Sequence, residues 1–364
     1  MPVRFFVCRR GPGGGMGFAA QMARILRSDR VRLAVAAALV LAAGLGLGGC
    51  SRGTEAERAE KDSSRGGLTP VRLQLDWYPQ PEHGGFFQAL ARGYYEQAGL
   101  DVELLSGGPR SMVLQKVALG QVTFGLWRSD DVTVAVSRGL PLVCVGAAFQ
   151  KDPQALMYHA EHPVRGFADL EGRTVMAGAA SVWVRLVEKK YGIQVHLTPV
   201  TFSIAQFMQD PLLVQQCLVT SEPFQARQAG AEVGTLLVAE TGHNPYHAII
   251  ANRDWVAANR AVAEAFVRAS LRGWRDYLEG DPSAAFAEIA RRNPQHNDAS
   301  MRFSREMIIR ESLATGEPGE GGLGHVDRER LSAQAKILEQ FGLLERPVSG
   351  AELVAEGFPL AAEE

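Results

Sequence analysis

VRLQLDWYPQPEHGGFFQALARGYYEQAGLDVELL, residues 71–105, contains one strand–helix–strand unit. Val71, Leu73 and Leu75 alternate with polar residues, the period of a strand with one face on a core. From Gly85 to Ala98 the apolar residues Phe86, Leu90 and Tyr94 recur every fourth position, which predicts a helix. DVELL (101–105) then returns to strand character. Two strands joined through a helix run parallel, so the unit belongs to a sheet covered by helices. In such sheets ligands sit beyond the C-terminal ends of the strands. Here that position holds Asp76-Trp77-Tyr78-Pro79 and then His83-Gly84-Gly85 at a helix start. A helix start offers unpaired backbone N–H groups, and Trp77 offers a face for a flat ring. The alternative is that Trp77 packs under its own loop and His83 only caps the helix.

Outward from this unit the rhythm persists. Residues 112–119 and 130–139 read as helices, and 123–127 and 140–149 as strands. It restarts at Leu170-Glu171-Gly172: strand 173–178, helix 182–191, strand 194–200, a short helix around Phe207, strand 214–219, helix 223–230 and strand 234–239. A unit of that size is normal as an insertion into a larger domain. HAIIAN (247–252) is one more strand, and nearly everything after it is helical, best formed at 261–278 with Val262, Phe266, Leu271 and Trp274 on one face. The expected fold class is α/β in two lobes: lobe one at 70–160 and 245–364, lobe two at 163–240.

The N-terminal region has a different character. Residues 1–49 carry seven arginines and one aspartate in a 364-residue chain of formal net charge −2, so the remainder has a net charge of −8. An acidic body has no general attraction for polyanions, which argues against a nucleic-acid partner. Arg30 precedes the apolar run VRLAVAAALVLAAGLGLGG (31–49) and then Cys50. Basic flank, apolar stretch and small residues form an export signal, and Leu47-Gly48-Gly49-Cys50 resembles a bacterial lipobox, in which the cysteine is lipidated. A transmembrane anchor with an incidental cysteine is the alternative. Residues 51–69 are polar and glycine-bearing, a flexible tether. Cys144 and Cys217 lie in apolar strand-like runs and read as buried free thiols. No cysteine or histidine spacing suggests a metal, and no cofactor motif is present.

Taken together, Leu75-Asp76-Trp77, His83-Gly84-Gly85, Gly93-Tyr94-Tyr95 and Gly99-Leu100-Asp101-Val102 resemble the opening of solute-binding proteins for thiamine pyrimidine precursors. More broadly they resemble the nitrate/taurine/sulfonate-type importer family. Phe124-Gly125-Leu126 with Ser129-Asp130-Asp131, residues 169–175 (DLEGRTV), residues 219–224 (VTSEPF) and Asn244-Pro245-Tyr246 extend the likeness. The resemblance implies a two-lobe periplasmic binding protein of type II with a ligand cleft between the lobes. It further implies an exported, membrane-anchored lipoprotein at the periplasm or cell exterior, with a small-molecule ligand, an ABC importer permease and its ATPase as partners. The ligand-binding residues it points to are Trp77, His83, Trp127, Ser129, Trp183, Glu222 and Tyr246. Glu222 follows an apolar strand and precedes Pro223; its carboxylate suits the N–H edge of an aminopyrimidine, or alternatively complements a helix dipole. Trp183 follows residues 177–182 (AGAASV), where relatives carry a Gly/Pro-rich loop, and reads as a stacking wall or as a core residue of the next helix. A sulfonate, taurine or nitrate ligand in the same fold is the alternative. So is a thiamine-pyrimidine synthase-like enzyme, although the cysteine-rich loop of that enzyme is missing here, as are Ser-His-Asp order, HExxH and a phosphate loop.

The lipobox leads to a direct expectation. Replacing Cys50 with Ala should release the protein from membranes or block its processing, read by fractionation and by mapping the mature N-terminus.

Overall fold

The computed structural model describes residues 67–178, 181–201, 203–319 and 321–358. Cys50, the export signal and most of the tether lie outside them. The chain divides into residues 1–66 and a compact unit from Gly67 onward.

The first sheet begins with β1 (Thr69–Gln74), then α1 (Gly84–Ala91), α2 (Tyr94–Gln97), β2 (Leu100–Leu105), α3 (Val113–Ala118), β3 (Phe124–Arg128), α4 (Ser129–Ser137) and β4 (Leu142–Phe149). The second is built from β5 (Gln154–His159), β6 (Thr174–Met176), α5 (Val182–Tyr191), β7 (His196–Thr198), α6 (Ala205–Gln209), β8 (Val214–Leu218), α7 (Glu222–Gln228) and β9 (Val233–Leu237). The chain then returns to the first sheet with β10 (His247–Asn252) and ends in α8 (Arg253–Ala258), α9 (Arg260–Glu279), α10 (Ser283–Arg292), α11 (Asp298–Arg310), α12 (Arg328–Gln340) and α13 (Gly350–Leu353).

Among the described residues the strands form two five-stranded mixed sheets, ordered β2-β1-β3-β10-β4 and β7-β6-β8-β5-β9. β1, β2 and β3 run parallel, as do β6, β7 and β8, while β10 and β5 are antiparallel to their neighbours. The strand β5 was not legible in the sequence. The sequence pattern places residues 154–159 in lobe one, yet they pair with β8 and β9 in the second sheet. The fully buried run 142–149 masked the boundary, because a second strand follows it after only four residues. The 85–98 helix is also two helices, divided at Gly93, whose φ of 70° lies in the left-handed region open to glycine.

The main core lies between the first sheet and α1, α2 and α9. Phe124 stacks on Phe266 and Phe266 on Tyr95, while Phe86 and Phe149 meet Trp274 edge-on. On α9 the buried stripe includes Phe266 and Trp274, as the pattern predicts, but Val262 and Leu271 sit at its margin. A smaller core of Leu156, Leu170, Val175, Trp183, Val187 and Val214 belongs to the second sheet. Cys144 and Cys217 are buried free thiols, one in each sheet.

The Gly84-Gly85 pair owes its identity to packing. A Cβ on Gly84 would lie 2.2 Å from the Tyr277 ring, and one on Gly85 2.2 Å from the Trp274 ring. Both aromatics are fully buried and cannot retreat. Gly85→Ala should therefore destabilise the protein by ~1–3 kcal/mol, the usual range for overpacking, measured as a lower urea midpoint with an unchanged slope.

Candidate functional site

The strand polarity collects chemistry at one edge of the first sheet. Gln74 is registered with Gly125, so Asp76 and Trp127 leave β1 and β3 at the same level. His247, the first residue of antiparallel β10, pairs with Arg128 at the end of β3 and with Phe149 at the end of β4.

Asp76 is the centre of this edge. Its Oδ1 lies 2.8 Å from Nε2 of His83, and its Oδ2 lies 3.1 Å from Nε2 of His247. A carboxylate only accepts, so each imidazole donates its Nε2–H. Both histidines are buried, while the Asp76 side chain keeps 29% of its surface exposed. Burial alone would raise the Asp76 pKa; the charges and hydrogen bonds of His247 and His83 overcome it and hold the carboxyl far below its ordinary 3.8. For His247, burial disfavours the charged ring, but the Asp76 carboxylate beside it, with a further contribution from Asp152, raises the pKa above 6.5. The sequence reading did not include Asp76 and His247 among the candidate site residues. Only the Asp-Trp pair at a strand end signalled the first, and the second emerges only when β10 is laid beside β3.

Trp77 is half-buried and meets Tyr78 edge-on at 5.6 Å. Trp127 is also half-buried, and its indole N–H donates to Asp131 at 3.0 Å. That carboxyl is pushed up to about 6 by burial and by the charge of Asp130. From the other sheet, Thr220 beyond β8 donates its hydroxyl to the buried Glu82 beside His83, and Ser304 of α11 donates to the Thr220 carbonyl at 2.7 Å. Glu222 stands next to this junction. Its carboxylate accepts the Leu218 backbone N–H at 2.8 Å, and burial raises its pKa, with a further push from Glu82.

The other expected residues stand apart from this edge. Trp183 is buried in the smaller core with its N–H 3.3 Å from Gln216 Oε1. Ser129 and Tyr246 are buried behind the strand ends: the Ser129 hydroxyl receives the Tyr246 N–H and donates to Gln334 at 2.8 Å, while Arg330 lies over the Tyr246 ring. They belong to a network that pins the two crossings between the sheets. Arg128 pairs with Asp130 and Asp152, Asp130 with His243 at 2.9 Å, and the Asp152 N–H with Asn244 at 2.9 Å. Among the described residues no group of histidine, cysteine and carboxylate side chains has the arrangement of a metal site.

Residues 80–285 match the family model described as NMT1/THI5 like. The chain belongs to the NMT1/THI5-like family. A riboflavin-binding protein, RibY of Chloroflexus aurantiacus, is 27% identical over 77% of this chain and 83% of its own length. A formylaminopyrimidine-binding protein of Halalkalibacterium halodurans is 27% identical over 77% of this chain and 88% of its own length. Pyrimidine phosphate synthases also match, at 23% to 28% identity over 29% to 62% of this chain. Among solved structures, the periplasmic aliphatic sulphonate binding protein SsuA of Escherichia coli superposes with a TM-score of 0.60 at 13% identity, over 81% of this chain and 94% of that one. The architecture is thus the periplasmic-binding-protein fold.

The Asp76–His247 pair gives a pH dependence of known sign. A raised histidine pKa stabilises the fold fully below pH 6.5, and that contribution is lost as pH rises through the folded value. The melting temperature should therefore fall as pH rises above 6.5. Asp76→Asn should flatten that slope, which a thermal-shift series will read.

Proposed function

We propose that this chain is an exported, lipid-anchored solute-binding protein that closes two α/β lobes around a small aromatic heterocycle bearing a pyrimidine ring, and delivers it to an ABC importer. The observation that carries the reading is Asp76: an ionised, partly exposed carboxylate, held by two buried imidazoles, one position before the half-buried Trp77. A pyrimidine-type edge carries N–H donors in the plane of the ring. A fixed carboxylate accepts them, while an aromatic side chain covers the face. Both named binding-protein relatives support this class, since a flavin and a formylaminopyrimidine each contain a pyrimidine ring. Rigid placement of the acceptor limits the ordering lost on binding. Glu222 and Thr220 approach the same turn from the second sheet, which suits a clamshell that samples its ligand from both lobes. In this reading Trp77 and Trp127 supply ring contact, His83 positions Asp76, and Ser129, Tyr246 and Trp183 support the scaffold. The ionised Asp76 carboxylate disfavours a sulfonate or nitrate group at its own position, where such a ligand would require cationic or N–H donors.

Calorimetry against riboflavin, 4-amino-5-hydroxymethyl-2-methylpyrimidine and its formylamino analogue tests the proposal. Asp76→Asn should weaken binding of the true ligand roughly ten- to hundredfold, the ~1.5–3 kcal/mol of a charge-assisted hydrogen bond. Trp77→Leu keeps apolar bulk and should cost less, ~0.5–1.5 kcal/mol. Ligand recovered chemically unchanged from the complex would separate a carrier from a synthase. Tight binding of an alkanesulfonate with no response to any of the three ring compounds would overturn the assignment.

A further inference from the structure

Next to Trp77, the loops that follow β1 and β2 enclose an open groove of about 610 Å³, lined by Tyr78, Ser106, Gly108, Arg110, Ser111 and Lys116 among others. We propose that this groove is a subsite for a tetrahedral oxyanion, a phosphate ester carried by the ligand of the cleft. The inference rests on the heterocycle reading above and narrows it to ring compounds with a phosphorylated substituent.

The charge is local and uncompensated. Arg110 and Lys116 form no ion pair among the described residues, in a chain whose net charge beyond residue 49 is negative. Lys116 is also held in place. Its ammonium donates at 2.7 Å to Oε1 of Gln74, a fully buried side chain whose own amide is anchored on the carbonyls of Leu75, Leu105 and Ser106. A neutral acceptor fixes the lysine without cancelling its charge, and leaves it further N–H donors. Arg110 is exposed and adds a planar donor fork, the group best matched to phosphate.

The loop is built to stay open. The Gly107 N–H donates to the Trp77 carbonyl at 2.9 Å, and a Cβ at Gly107 would lie 2.2 Å from the Leu75 carbonyl oxygen. Glycine thus lets the β2 loop lie directly against the end of β1. Next to Ser111, Met112 holds a φ of 50° and is 61% exposed. Such a conformation is uncommon for a long side chain and concentrates at ligand-binding loops. Ser106 and Ser111 supply hydroxyls, and Tyr78, half-exposed, forms the wall shared with Trp77. Tyr78 thus touches Trp77, the ring contact of the proposed ligand, and lines the groove that holds the two cations for its tail.

The test uses the full chain, its intrinsic tryptophan fluorescence and calorimetry. Inorganic phosphate should bind the wild type, with binding that weakens as salt rises. Flavin mononucleotide should bind about tenfold tighter than riboflavin, as expected for one or two charge-assisted contacts. In the double variant Arg110→Gln, Lys116→Gln the phosphate response and the preference for the phosphorylated flavin should both disappear, while circular dichroism shows the protein still folded. Absence of a phosphate response, with equal affinity for the two flavins, would overturn the subsite while leaving the heterocycle reading intact. A phosphate response lost in the double variant, with no flavin or pyrimidine bound, would uphold the subsite and overturn the heterocycle reading. An equal response to acetate would overturn the tetrahedral class.

Discussion

Parallel strands end together, and that constraint organises the site. Because β1, β2 and β3 share one direction, the loops after all three open at the same edge of the first sheet. Because β10 enters the sheet in the opposite sense, its first residue arrives at that edge too. Asp76, Trp77, Trp127 and His247 are therefore neighbours although 171 residues separate Asp76 from His247. The Asp76 carboxylate then draws both imidazoles inward, and its charge offsets the cost of burying them. No single strand carries this arrangement. It exists only when the sheet closes around the inserted unit.

The same turn that holds His83 also joins the first sheet to α9 and to the second sheet. Gly84 and Gly85 let Tyr277 and Trp274 pack flat against the start of α1. Immediately before His83, Glu82 takes the hydroxyl of Thr220 from beyond β8. A shift of α1 would therefore be felt in the core, at Asp76 and at the contact with the second sheet together. A buried carboxylate with a hydroxyl partner is exacting in geometry, since an unpaired charge there is costly. The crossings have a comparable anchor in Arg128, whose guanidinium serves Asp130 and Asp152 at once.

Much of the fold was legible from residues 71–105 outward, because strand and helix periods are local properties of the chain. The helix at 182–191 and the strand at 247–252 fall where the pattern places them. The boundary at β5 was not legible: residues 154–159 lack a clean alternation, and their partners β8 and β9 lie more than fifty residues away. The site was legible as a region and less so as a list. Trp183 shows why, since an apolar aromatic at a helix start has the same local signature on a cleft wall and in a core. Here the hydrophobic neighbours Leu170, Val175 and Val187 take it inward. Ser129 and Tyr246 were found in the right stretch of chain, but their polar atoms are consumed by each other, by Gln334 and by Asp327.

What the sequence determined by itself is what depends on near neighbours: the α/β class, the family, the alternation of strands and helices, and Asp76-Trp77 at a strand end. Periodicity and motif order encode these within stretches of ten to thirty residues. What only the tertiary structure decided is which polar atoms remain available. His247 meets Asp76, Lys116 is drawn to Gln74, and Glu222 is returned to the Leu218 backbone. Each of those outcomes turns on a hydrogen-bond partner set by strand order and loop packing. A side chain's chemistry is written in its residue type, but whether it faces a ligand depends on whether the fold has already satisfied it.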